Sequence, residues 1–138
     1  MGLNDYYSYI TGLSREDISR INFTNTIPDE YTIGYSVAKN GIVNVYWNAE
    51  NYTIYIYRTG KIKIEDASYL FANCNRLLYL DLSNVENSSL SGSKYMFYNC
   101  ANLTEVNLNM FNFKSVTDAS YMFAGCTGIK NVQMEQAI

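Results

Sequence analysis

Apolar and polar positions along residues 65–138 recur with a period of 26. Phe71, Phe97 and Phe123 stand 26 residues apart, as do Cys74, Cys100 and Cys126, and Tyr69, Tyr95 and Tyr121. The apolar columns run Phe71/Cys74/Leu77/Leu80/Leu82, Phe97/Cys100/Leu103/Val106/Leu108 and Phe123/Cys126/Ile129/Val132/Met134. Steps of three put residues on one side of a helical or 3₁₀ turn, and a step of two puts them on one face of a strand. Each repeat therefore predicts a helical turn leading into a short strand. One such unit cannot bury its own apolar edge, so neighbours stack and equivalent residues meet. The strands are then expected to lie side by side in a parallel sheet. The small column Ala67/Ser93/Ala119 fits a crowded turn, and Leu90 and Val116 mark an apolar return side.

Upstream, the period changes to two. INFTN, YSVA, IVNVYWNA, YTIYIYR and KIKI are strand candidates rich in β-branched and aromatic residues. Asn40-Gly41 predicts a two-residue hairpin turn, because both residues accept positive φ. Val43, Val45 and Trp47 share one face of their strand. Tyr52, Ile54 and Ile56 share a face of the next, with Tyr55 and Tyr57 opposite. Ser14 with Asp17 echoes a helix capping box. Residues 1–20 thus read as an N-terminal helix or lead-in. Residues 21–64 read as a small antiparallel cap, and residues 65–138 as three repeats with the last abbreviated. The fold class expected is an α/β solenoid, a short leucine-rich-repeat stack behind a β-rich cap.

The pI near 4.8 argues against nucleic-acid binding through a basic patch. Residues 65–138 hold four basic and seven acidic side chains, a net of −3, whereas residues 1–64 hold six of each. A face this mildly acidic could meet a basic partner, but it equally serves solubility. MGLNDYYSYI lacks the basic start and apolar run of an export signal, and no later stretch is long enough to span a bilayer. Membrane insertion is not expected.

Catalysis is not expected either. No His is present to act as a base near neutral pH. The serines of NSSLSGS read as a loop with no catalytic Ser-Lys arrangement suggested, and Glu65-Asp66 and Asp29-Glu30 read as solvated turns. No glycine-rich phosphate loop follows a strand, and no cofactor is expected. The three cysteines occupy one column, which predicts a buried ladder of reduced thiols. Without His, a straight ladder does not make a tetrahedral metal site.

The remaining candidate is the strand face. Tyr79, Asp81 and Ser83 lie between buried positions of the first repeat. Glu105, Asn107 and Asn109 do so in the second, and Asn131, Gln133 and Glu135 in the third. These side chains are expected to project in three rows. The rows form either a solvated face with amide ladders or a surface that binds a protein partner. The 14 tyrosines favour binding, since Tyr supplies amphipathic contact area at low entropic cost. Tyr69, Tyr95 and Tyr121 are better read as a structural ladder.

SYLFANC, KYMFYNCANLTEVNLNMFNFKSVTDAS and SYMFAGC resemble the BspA-like leucine-rich repeats of bacterial surface proteins. The stretch from Tyr31 to Phe71 is similar to the β-rich segment that often precedes them. ENSSLSGSK replaces the usual threonine- and valine-bearing return of the first repeat, and QMEQAI departs from the pattern in the third. The resemblance implies binding without catalysis, in a cell-surface or adhesion-type domain. Similar repeats in phages and mobile elements imply an alternative: an intracellular protein that grips and blocks a host defence protein such as a nuclease. Genomic neighbourhood discriminates the two.

Overall fold

A computed structural model describes residues 14–29, 34–37, 44–48 and 50–134. The expected Asn40-Gly41 turn, Val43 and Glu135 lie outside these residues. The chain is mostly β, and no α-helix occurs among the described residues, which corrects the α/β expectation. Among the described residues near the start there is a 3₁₀ turn, Arg15–Asp17, opened by a Ser14/Asp17 capping box.

The absence of helix in the repeats has a backbone cause. Tyr69, Asn73, Tyr95, Asn99, Tyr121 and Gly125 all have φ between 55° and 80°. A left-handed residue at every fourth position stops an α-helix from propagating. The amides are spent sideways instead. The N–H groups of Tyr69, Phe71 and Asn73 donate to the carbonyls of Lys94, Met96 and Tyr98 at 2.7–2.9 Å. Those of Tyr95, Phe97 and Asn99 donate to Ser120, Met122 and Ala124 at 2.8–2.9 Å. Each turn is thus tied to the turn 26 residues later.

A five-stranded sheet has the order β2-β3-β4-β1-β5, formed by Gly34–Val37, Asn44–Asn48, Thr53–Tyr57, Arg20–Thr24 and Tyr79–Asp81 respectively. β2, β3 and β4 are antiparallel, but β1 runs parallel to both β4 and β5. The sheet is therefore mixed, not the antiparallel cap expected. The reason is that β1 alternates buried Ile21 and Phe23 with outward Arg20, Asn22 and Thr24. Lying between β4 and β5 gives it a partner on both edges and closes its apolar face onto the repeats.

β6 (Ser88–Ser89) pairs in parallel with β8 (Phe111–Asn112), and β7 (Glu105–Asn107) with β9 (Asn131–Gln133). The parallel sheet expected along the repeats is interrupted, since no ladder joins β5 to β7 among the described residues. The starting amides of β5, at Leu78 and Tyr79, turn to the Ser19 carbonyl instead. Those two repeats are held on their other sides, by the turn amides above and by bonds such as Ser91 N–H to Glu65 O at 2.8 Å.

The core is one aromatic and aliphatic column. Phe23 meets Phe71 edge-on at 6.2 Å, and Phe71, Phe97 and Phe123 stack at 5.3 and 5.4 Å between centroids. Cys74, Cys100, Leu77 and Leu103 are fully buried beside them, while Phe123, Ile129, Val132 and Met134 are partly buried. Leu90 and Val116 pack on this core from the return side, as their spacing predicts.

Candidate functional site

Alternation in the short strands projects the expected face outward. Val106 is buried between exposed Glu105 and Asn107, and Val132 is partly buried between exposed Asn131 and Gln133. β7 and β9 bring Glu105 beside Asn131 and Asn107 beside Gln133. β1 and β5 bring Arg20 beside Tyr79 and Asn22 beside Asp81. The three expected rows are thus not one continuous array: β1 extends them on one side, and the break between β5 and β7 divides them.

Several of these residues have local structural work. Asp81 Oδ1 accepts the Ser83 amide at 2.9 Å, and Asn107 Oδ1 accepts the Asn109 amide at 2.9 Å. Such Asx turns end the strand and steer the chain into the return side. Asp66, Asn112 and Asp118 do the same for Ser68, Lys114 and Ser120 at 2.9–3.0 Å. Backbone and side-chain bonds from Ser68 hold the Asp66 carboxyl below its usual value, and Ser120 does so for Asp118.

At the break, Tyr79, Asp81 and Glu105 belong to the expected set, whereas Arg20, Leu78 and Thr104 were missed. Arg20 lies over the Tyr79 ring, 4.8 Å from its centroid. Tyr79 is 59% exposed and its neighbour Leu78 50% exposed. They border a groove of about 360 Å³ lined by Arg20, Leu78, Tyr79, Asp81, Thr104 and Glu105. Arg20 and Tyr79 are 59 positions apart, and only the parallel pairing of β1 with β5 joins them. No local motif could have signalled that.

The tyrosine and cysteine columns are structural. Tyr69, Tyr95 and Tyr121 stack at 4.9 and 5.1 Å, with interplanar angles of 4° and 23°. The cysteines are free and buried. Cys100 Sγ donates to Phe71 O at 3.1 Å, and Cys126 Sγ to Phe97 O at 3.0 Å. Burial pushes the Cys74 thiol up to about 12 and raises Cys100 and Cys126 as well. Tyr46 and Tyr55, on the outer face of the sheet, are buried rather than available to a partner. Among the described residues no cluster of three or more His, Cys, Asp or Glu could hold a metal ion. No helix there is long and apolar enough to cross a membrane.

A family model described as "Mycoplasma protein of unknown function, DUF285" matches residues 40–136. No curated protein and no solved structure matches the chain.

Proposed function

The chain belongs to the DUF285 family, and from that premise we propose that it is a non-enzymatic protein-binding module. In this reading its repeats form a short leucine-rich-repeat solenoid of the BspA-like kind, in a cell-surface or adhesion-type domain. The observation that carries it is the Arg20–Tyr79 pair beside exposed Leu78, at the mouth of the groove between β5 and β7. Arg and Tyr are the residue types that dominate binding energy when a partner covers them. Leu78 adds apolar area, and Thr104 and Glu105 supply a polar rim. In this reading the surface centres on Tyr79.

Once a partner has been captured by affinity purification, its dissociation constant is measured against Tyr79→Ala and Glu105→Arg. Either change is expected to cost ~2 kcal/mol or more in binding, with the circular dichroism spectrum unchanged. Lys114→Ala, on an exposed turn remote from the groove, is expected to change little. Wild-type affinity in both face variants, with loss on altering exposed Tyr52, would move the surface to the β3–β4 turn and overturn this assignment.

A further inference from the structure

We infer that the cleft at the carboxyl ends of β1 and β5 is a binding site for a neutral sugar. The cleft has a volume of about 590 Å³ and is walled by Asn22, Thr24, Tyr55, Asp81, Ser83 and Asn84. That size lies within the usual range of small-molecule sites, about 300–1,000 Å³.

Asn84 is buried and pinned. Its Nδ2 donates to Arg58 O at 3.3 Å and to Gly60 O at 3.2 Å. Its Oδ1 receives no donor among the described residues. Asp81 spends Oδ1 on the Ser83 amide and leaves Oδ2 unused. Among the described residues the Asn22 amide and the Ser83 hydroxyl make no hydrogen bond. One wall therefore offers two fixed acceptors, an amide with both functions and a hydroxyl. Their register is set by β1 pairing with β5, which puts Asn22 beside Asp81. Neighbouring strands lie about 4.8 Å apart. Groups at that spacing can reach different hydroxyls of one pyranose ring.

Other ligand classes fit less well. Among the described residues the one ammonium on the cleft, Lys61, is committed to Ser83 O at 2.9 Å, and carboxylates of Asp29 and Asp81 share the wall, so an anion is repelled. Phe23 and Tyr55 present almost no surface, so an apolar ligand gains little. An extended peptide needs a free strand edge, but β1 is paired on both sides. A polyol needs none of these. Each of its hydroxyls both donates and accepts, which matches the mixed set of unused groups.

The full chain is titrated with the methyl glycosides of glucose, galactose, mannose and N-acetylglucosamine, and separately with inorganic phosphate, while backbone amide resonances are followed. At least one glycoside is expected to shift the amides of Asn22, Asp81, Ser83 and Asn84. Asn22→Leu should weaken it by about tenfold, the equivalent of one lost charge-free hydrogen bond with its partner left unpaired. Asp81→Asn keeps the turn acceptor but replaces Oδ2, and should weaken it similarly. The proposal is overturned if all four glycosides leave these amides unmoved. It is also overturned if a glycoside binds both variants as tightly as wild type, or if phosphate alone shifts the cleft.

Discussion

Arg15 Nη1 donates to the carbonyl of Ala72 at 3.0 Å, across 57 positions of chain. The same nitrogen reaches Tyr69 O at 2.8 Å and Leu70 O at 3.3 Å. In the second repeat the equivalent carbonyls, at Met96 and Tyr98, accept amides of the repeat before. The first repeat has no turn before it, and a single guanidinium supplies the donors. Arg15→Met keeps the apolar stem and removes the donors. It is expected to cost about 2 kcal/mol in urea unfolding, because carbonyls are left without partners. Arg15→Lys should recover only part, since an ammonium lacks the planar fork. A loss below ~0.5 kcal/mol in Arg15→Met would show that water serves these carbonyls equally well.

Ser93 illustrates the opposite case. Its column neighbour Ala67 is fully buried, and so is Ser93, whose hydroxyl finds no partner. Ser93→Ala should therefore stabilise the fold by about 1 kcal/mol, since a buried unpaired hydroxyl is a standing cost. Thermal unfolding decides it. A lower melting temperature would mean that the hydroxyl is paired in solution.

The cysteine column makes stability fall at alkaline pH. An unfolded thiol ionises near 9.0, whereas burial holds Cys74 neutral up to about 12. The folded pKa is raised, so this stabilisation is complete below about pH 9 and is lost as pH rises toward 12. Cys74→Ala should flatten that fall relative to wild type, measured as urea midpoints at pH 8 and above. The native thiols should also resist a disulfide reagent at pH 8 until denaturant is added. Rapid native labelling of Cys100 would contradict the closed column.

Asn107 and Gln133 are both exposed neighbours on paired strands, but they should behave differently. Asn107 closes a turn onto the Asn109 amide, whereas among the described residues Gln133 makes no such bond. Asn107→Ala is expected to lose about 1 kcal/mol, with Asn107→Asp restoring most of it. Gln133→Ala should stay within ~0.5 kcal/mol of wild type. Equal stability of the two alanine variants would remove the structural role assigned to Asn107.

The repeat register was determined by the sequence alone. Identical spacing of Phe71, Phe97 and Phe123 favours a stacked column, because equivalent rings 26 residues apart bury one another when the repeats stack. The inward and outward sides of Glu105, Val106 and Asn107 followed from period two in the same way. The sequence also foresaw the buried thiols, since a small apolar column among Phe and Leu leaves no other place for them. Three features waited on tertiary structure. The threes in the spacing looked helical, but left-handed Tyr and Asn residues turned the amides toward the next repeat, a choice that depends on the neighbour's carbonyls. β1 entered the sheet between β4 and β5, because a strand's edge partners depend on distant chain and not on its own alternation. The Arg20–Tyr79 pair and the Asn22–Asp81–Asn84 wall are products of that insertion, each joining residues roughly 60 positions apart whose local sequence carries no mark of the other.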